Sequence, residues 1–176
     1  PFGMHLDRLK VPGVDFSTGS LGHGLALGLG AAMGARQVGK AWHTFVVMSD
    51  GECAEGSVWE AAMAASNFKA SNLTAIIDRN KFSLDGPTET LMRLEPLDQK
   101  FEAFGWKALS IDGHDFDQIL DAIEEARAEK ERPTVIVAST VKGKGVDFME
   151  DKAAWHYAGL DDAMRDKALA CIRAGK

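Results

Sequence analysis

The chain has 176 residues, of which 45% are hydrophobic, and a formal net charge of −6. This length and composition suit a single globular domain over residues 1–176, and the acidic balance argues against nucleic acid as a partner. Two cysteines are too few for a disulfide framework and fit a cytoplasmic location, and the uncharged stretch 24–35 is too short and glycine-rich to cross a membrane.

Predicted helices and strands alternate along the sequence. Residues 1–19 predict a loop, and because the chain opens inside it we expect the domain to be incomplete at its N-terminus. The predicted strands are 44–49, 73–78, 106–111 and 134–140, and the predicted helices are 21–37, 56–69, 97–104, 116–130 and 160–173. Asp115 and Gln118 predict an N-cap with a capping box for the fourth helix. The alternation predicts an α/β fold of three layers, with a mostly parallel sheet and helices on both of its faces.

The first predicted helix carries the small residues Gly24, Gly28, Ala31 and Ala35 on neighbouring turns. We expect such a face to bury little against its own sheet and to permit the close approach of a second helix. The sequence therefore predicts that this face, together with the helix that follows Glu55, contributes to a subunit interface.

Oxygen-bearing residues follow two of the predicted strands. Asp50 comes after the first strand and Asn80 after the second, and parallel strands bring their carboxyl ends to one edge of a sheet. With the backbone carbonyl of Phe82, these residues would make an oxygen site for a hard cation such as magnesium, which keeps room for phosphate oxygens. The glycine at position 51 would let the backbone approach a phosphate closely. The alternative is that Asp50 and Gly51 form an ordinary turn or helix cap.

A glycine-rich segment, residues 17–25, precedes the first helix. It predicts either a flexible loop or a backbone shelf that contacts a flat heterocycle through Gly19, Ser20 and Leu21. A glycine-rich loop by itself does not decide between these two interpretations.

Segment 141–156 contains Lys142 and His156 and two glycines that make it compliant. Its two basic residues are either solvated at the surface or face diphosphate or substrate oxygens. Taken alone, His5 predicts a surface residue, and Glu55 predicts a first-turn charge at a helix N-terminus, which contributes only tenths of a kcal/mol.

Four segments together resemble the thiamine-diphosphate-binding domain of transketolase. They are STGSLGHG, SDGECAEGSVWEA, DRNKFSLDGPTE and VKGKGVDFMEDKAAWH, and the resemblance runs from about residue 5 to residue 156. Ser49 stands where that family has the first glycine of Gly-Asp-Gly. The resemblance implies thiamine diphosphate and Mg²⁺ (or Ca²⁺ or Mn²⁺) as cofactors. It also implies transfer of a two-carbon ketol unit from a ketose or ketose phosphate to an aldose or aldose phosphate.

The resemblance assigns an expected role to each matching residue. The expected metal ligands are Asp50, Asn80 and the carbonyl of Phe82. The expected contacts to thiamine diphosphate are Gly19, Ser20, Leu21, Gly51, Lys142 and His156. The expected catalytic residues are His5, Glu55 and His156. In this scheme His5 faces the sugar, and Glu55 joins a proton relay across the subunit interface.

The resemblance also implies a partner, because transketolase uses a pyrimidine-binding domain whose glutamate activates the aminopyrimidine ring. We expect this chain to be the N-terminal subunit of a split transketolase, inactive alone, that joins a pyrimidine-binding C-terminal subunit in a homodimer or heterotetramer. A fragment of a full-length transketolase is the alternative. The sequence is also compatible with a deoxyxylulose-phosphate synthase, with a dehydrogenase E1-type subunit, or with a fragment that assembles without catalysing a reaction.

Overall fold

A computed structural model describes residues 5–175 of the chain. The strands are β1 (Thr44–Ser49), β2 (Leu73–Arg79), β3 (Phe82–Ser83), β4 (Gly86–Pro87), β5 (Lys107–Asp112) and β6 (Thr134–Ser139). The α-helices are α1 (Gly24–Gln37), α2 (Gly56–Asn67), α3 (Thr88–Leu91), α4 (Leu97–Ala103), α5 (Phe116–Ala128) and α6 (Asp162–Arg173), and two 3₁₀ turns span Gly51–Ala54 and Ala153–His156. Four strands form a parallel sheet in the order β1–β2–β6–β5, beside a small antiparallel hairpin of β3 and β4. The predicted α/β fold with a parallel sheet is confirmed.

The register of the sheet brings the carboxyl ends of its strands level with one another. Ser49 of β1 lies beside Asp78 of β2, which in turn lies beside Ala138 of β6. At the end of β5, Asp112 pairs with Ser139. The segments that follow these strands therefore share one edge of the sheet, where parallel α/β folds bind their ligands.

Helices cover the two faces of the sheet unequally. Helices α1, α2 and α4 cover one face and form the larger core with it, which includes Leu25, Val58, Leu73, Phe101 and Trp106. On the other face, Ala122 and Ala126 of α5 pack against Ile136. The predicted helices on both faces are confirmed, but Phe45 and Val47 on β1 remain 42% and 74% exposed.

Most observed bounds lie within two residues of the predicted ones, and the larger differences are in two places. Helix α1 begins at Gly24 rather than at residue 21, because Gly22 has a φ of +79° and its N–H donates to Glu52 at 2.7 Å. The predicted loop 79–96 contains the β3–β4 hairpin and α3, which are too short for a periodic pattern to reveal. Between residues 5 and 175, no helix combines the length and apolar character that a membrane crossing requires.

The small-residue face of α1 packs on its own sheet, so the expectation that this face is free for a second helix is wrong. A Cβ atom on Gly28 would lie only 2.3 Å from Cγ2 of Val46, and one on Gly24 would lie 3.5 Å from Cγ1 of the same side chain. Ala35 is also buried, whereas Ala31 is exposed. The missing side chain at position 28 lets the helix approach β1 closely.

The predicted cap of α5 is confirmed. The carboxylate of Asp115 accepts the N–H groups of Asp117 and Gln118 at 3.0 and 3.2 Å, and Nε2 of Gln118 donates to the same carboxylate at 2.9 Å. These hydrogen bonds lower the pKa of Asp115, and the bond from the Gln118 N–H has the largest effect. The capping box is modified, because Oε1 of Gln118 accepts the N–H of Asp112 instead of the N–H of the cap residue.

Replacement of Gly28 by alanine should destabilise the protein, because the added methyl group overlaps with Val46. Overpacking costs about 1–3 kcal/mol, and a contact this short belongs at the upper end. That cost outweighs the roughly 1 kcal/mol that alanine gains over glycine inside a helix. We expect a lower midpoint in chemical denaturation for Gly28→Ala.

Gly30→Ala is the matched control for this experiment. Gly30 lies in the same helix, and no neighbouring group that the structure describes lies within 4 Å of its Cβ position. This variant should be neutral or stabilising. Equal midpoints for the two variants would contradict the packing of α1 on β1.

Candidate functional site

The carboxylate of Asp50 lies at the end of β1 and is fully buried. Its Oδ1 accepts the N–H of Gly51 at 2.7 Å, while Oδ2 accepts the N–H of Lys81 at 2.6 Å and Nη1 of Arg79 at 2.8 Å. The turn after β2 therefore reaches back to the end of β1. A carboxylate offers roughly four lone-pair positions. Within residues 5–175 three of them are used, which leaves one on Oδ1.

Asn80 and the carbonyl of Phe82 lie at the same edge of the sheet. Asn80 is buried, its Oδ1 accepts the N–H of Phe82 at 3.0 Å, and its Nδ2 donates to Asp78 at 3.2 Å. A Cβ atom on Gly51 would lie 3.8 Å from the carbonyl oxygen of Phe82. The structure thus brings the three residues predicted to hold a metal together around Gly51.

This set of donors fits a hard cation. One carboxylate, one amide oxygen and one backbone carbonyl are the oxygen ligands that Mg²⁺ and Ca²⁺ prefer. Across residues 5–175, no group of three or more His, Cys, Asp or Glu side chains is placed to hold a metal ion. Metal binding by the oxygen set around Gly51 stays a prediction.

Arg79 is the residue of this site that the sequence analysis missed. Its side chain is 6% exposed and forms ion pairs with Asp50, Glu89 and Glu95 at 2.8, 3.2 and 2.8 Å. Burial acts to lower the pKa of Arg79, but its hydrogen bonds to Asp50 and Glu95 outweigh that effect and raise the pKa. One signal was available in the sequence. Arg79 lies at the end of a buried strand, after Asp50 and directly before Asn80 in the sequence, and an arginine in such a place requires anionic partners.

Lys142 and His156 lie on the segment that follows β6. The charges of Lys142 and Asp50 both act on the imidazole of His156. Burial is the main factor that lowers the pKa of His156, the positive charge of Lys142 lowers it further, and the negative charge of Asp50 acts in the opposite direction. The 3₁₀ turn Ala153–His156 also contacts β3, so His156 lies near the strand that carries Phe82.

Segment 141–156 starts from a fixed point that the sequence analysis also missed. The N–H of Val141 donates to Nε2 of His114 at 2.8 Å. The segment then closes on itself, because the N–H of Asp151 donates to the carbonyl of Lys142 at 3.0 Å. The backbone at Lys142 is therefore held on both sides, next to the carboxyl ends of the strands.

A second group of predicted residues lines a cavity of about 580 Å³ beside β1. Gly19, Ser20 and Leu21 lie along it, and His5 shares the same cavity. A Cβ atom on Gly19 would lie 3.2 Å from Cγ of the His5 ring, so the two residues are in close contact. All four residues are exposed, unlike the buried Asp50.

The loop that carries the predicted shelf is fixed against the start of α2. Glu52 accepts the N–H of Gly22 at 2.7 Å, and the hydroxyl of Ser57 donates to the carbonyl of Gly22 at 2.9 Å. With a φ of +79° and only 2.5 Å between its Cβ position and Oγ of Ser57, position 22 requires glycine. The sequence does not reveal this role of Glu52, because nothing in it shows that these two segments meet.

Comparison with known proteins identifies the family of the chain. The sequence profile of the family described as "Transketolase, thiamine diphosphate binding domain" matches residues 3–170. The chain belongs to this transketolase family. It is 42% identical to an apulose-4-phosphate transketolase subunit of Phocaeicola vulgatus over 85% of its own length and 53% of that protein. It is 40% identical to a 6-deoxy-6-sulfo-D-fructose transketolase subunit of Clostridium sp. (strain MSTE9) over 94% of its own length and 60% of that protein.

A solved transketolase has the same fold. The crystal structure of transketolase from Campylobacter jejuni superposes with a TM-score of 0.85 at 33% identity, over 93% of this chain and 26% of that one. The resemblance to transketolase and the expected fold are therefore confirmed, and the family supports thiamine diphosphate as the cofactor. The chain spans about half the length of the two curated transketolase subunits. The roles of individual residues stay predictions.

Ser49 replaces the first glycine of the transketolase Gly-Asp-Gly pattern. Its hydroxyl accepts the N–H of Glu52 at 3.0 Å, so the serine caps the 3₁₀ turn that follows. In that turn, burial raises the pKa of the Cys53 thiol to about 12. The thiol therefore stays protonated at neutral pH and supplies no nucleophile to the site.

Glu55 lies at the start of α2 and is exposed. In the part of the chain that the structure describes, its side chain caps no backbone N–H. The transketolase-like proton relay assigned to Glu55 requires a second subunit, so it stays a prediction.

Replacement of Lys142 by glutamine should raise the pKa of His156, because the positive charge of Lys142 disfavours the imidazolium form. The pKa is measured by NMR titration of the imidazole in the assembled protein. Lys144→Gln removes the same charge two residues away and is the control, since Lys144 is not among the groups that shift the His156 pKa. An unchanged His156 pKa in Lys142→Gln would show that the two side chains do not meet in solution.

Proposed function

We propose that this chain provides the diphosphate-binding part of an enzyme that depends on thiamine diphosphate and a divalent cation. The enzyme would transfer a two-carbon ketol unit from a ketose or its phosphate to an aldose or its phosphate. The observation that carries the proposal is the meeting of Asp50, Asn80 and the Phe82 carbonyl around Gly51 at the carboxyl edge of the sheet. When bound, thiamine diphosphate supplies the nucleophilic carbon that ketol transfer requires.

The buried end of the site would bind the cation and the diphosphate. Oδ1 of Asp50 retains one lone pair in the described structure and would be a cation ligand, together with Asn80 and the carbonyl of Phe82. Mg²⁺ is the proposed ion, with Ca²⁺ or Mn²⁺ as substitutes. The residues proposed to contact the diphosphate are Gly51, Lys142 and His156. The positive charge of Lys142 and a hydrogen bond from the imidazole of His156 would add to the bound cation in holding the diphosphate oxygens.

The exposed end of the site would bind the organic part of the cofactor and the sugar. Gly19, Ser20 and Leu21 would line the cofactor, and His5 would face the sugar from the same cavity. Glu52 and Ser57 hold this loop through hydrogen bonds to its backbone, so contacts within the protein position the shelf. A loop that is already held in place lowers the entropic cost of ligand binding.

The proposal includes a partner subunit that carries a pyrimidine-binding domain, in a homodimer or a heterotetramer. Two of the relatives are named as transketolase subunits. The cavity residues are exposed on this chain, and Phe45 and Val47 leave an apolar area of β1 uncovered, as is typical of protein interaction surfaces. Glu55 would share a proton with a carboxyl group of the partner. A cytoplasmic location also stays a prediction.

Binding of thiamine diphosphate should require a divalent cation and Asp50. Isothermal titration of the assembled protein should show tight binding with Mg²⁺ and much weaker binding with EDTA. Loss of an outer-shell partner of a metal costs roughly 10–100-fold in affinity, and loss of the carboxylate ligand in Asp50→Ala should cost more. Asp121→Ala is the control, because it removes an exposed carboxylate on α5. Wild-type affinity in Asp50→Ala would refute the proposed site.

Transferase activity should appear only in the complex with a pyrimidine-binding subunit. We expect the chain alone to be inactive in a coupled transketolase assay and the mixture to be active, with complex formation followed by light scattering. The Asp50→Ala chain is the control. It should assemble without gaining activity, which assigns the activity to this chain's site rather than to the partner. A monomer that transfers ketol groups unaided would refute the partner proposal.

A further inference from the structure

The guanidinium group of Arg79 lies at the centre of a buried hydrogen-bond network. Nη1 donates to Asp50 at 2.8 Å and to the hydroxyl of Thr88 at 2.7 Å, Nε donates to Glu95 at 2.8 Å, and Nη2 donates to Glu89 at 3.2 Å. The planar fork of a guanidinium group can make several directed bonds at once, which a lysine cannot reproduce. Arg79 thereby joins the end of β1 to the segment that contains α3.

The three acidic partners of Arg79 depend on it to different degrees. The side chains of Glu89 and Glu95 are 42% and 48% exposed, so water can solvate them if the arginine is removed. The side chain of Asp50 is 0% exposed, and its other two partners are neutral backbone N–H groups. Arg79 is therefore the cation in direct contact with a buried carboxylate, for which an unpaired charge is strongly unfavourable.

The arginine also determines which oxygen of Asp50 is available. Oδ2 accepts two hydrogen bonds, from Arg79 and from the N–H of Lys81, so both of its lone pairs are used. Oδ1 accepts one hydrogen bond within the described residues, from Gly51. The arrangement leaves the free lone pair on the oxygen next to Gly51, where the Phe82 carbonyl also lies.

We propose that Arg79 is a positioning residue of the cation site, which holds Oδ2 of Asp50 and supplies its counter-charge until a cation binds at Oδ1. The role in cation binding rests on the proposed function. The counter-charge role does not, because it concerns the protein without metal. Arg79 and the cation compensate the same buried carboxylate, so removal of the arginine should make the protein more dependent on the cation.

The counter-charge role is tested without metal, by a double-mutant cycle on the assembled protein in EDTA. Arg79→Met leaves Asp50 buried and unpaired and should lower the melting temperature by on the order of 10 °C. Addition of Asp50→Asn removes the unpaired charge and should restore most of that loss. Glu95→Gln is the control, because it weakens a half-exposed pair and should not be rescued by Asp50→Asn. A double variant that is as unstable or as unfolded as Arg79→Met overturns the proposal.

The cation role is tested by the rise in melting temperature on addition of Mg²⁺ and thiamine diphosphate. The rise should be larger in Arg79→Met than in the wild type and unchanged in Glu95→Gln. Arg79→Lys keeps the charge and should fall between the wild type and Arg79→Met, which supplies a second variant if the methionine substitution does not fold. Equal rises in melting temperature in all variants would show that Arg79 has a structural role only. No rise in the wild type overturns the cation role together with the proposed function, while the cycle in EDTA still decides the counter-charge role.

Discussion

The carboxylate of Asp50 is fully buried at the end of the first strand, and the geometry of the candidate site follows from the way this charge is compensated. A buried carboxylate requires hydrogen-bond donors and an opposite charge nearby. Two backbone N–H groups and Arg79 meet this requirement in the described structure. Because two of the donors, Arg79 and the N–H of Lys81, come from the end of β2 and the turn after it, compensation of the charge also fixes the position of that turn relative to β1.

The turn after β2 carries Asn80 and the Phe82 carbonyl, the other two predicted metal ligands. Its conformation is held by the amide oxygen of Asn80, which accepts the Phe82 N–H, and by Arg79, which connects it to Glu89 and Glu95. These contacts lie within the protein and hold the oxygen donors of the proposed cation site in place. A cation bound as proposed would have Asp50, Asn80 and the Phe82 carbonyl as its protein ligands.

The two ends of the proposed cofactor site differ in burial. Asp50 and Asn80 are buried, whereas His5, Gly19 and Leu21 around the cavity are exposed. This difference fits the proposal that this chain binds the diphosphate and that a partner subunit covers the other end of the cofactor. The exposed side chains of Phe45 and Val47 on β1 are further apolar surface that a partner could cover.

The sequence by itself determined the fold class, the positions of Asp50 and Asn80, and the cap at Asp115. These features depend on short patterns: alternation of strands and helices, polar residues just after apolar strands, and an acceptor three residues before a helical N–H. The tertiary structure alone decided the partners of Arg79, the hydrogen bond from Gly22 to Glu52, and the face against which Gly28 packs. Asp50 and Arg79 are 29 positions apart, and Gly22 and Glu52 are 30. Contacts at such separations depend on sheet register and on which helix covers which strand, and no local periodicity carries that information.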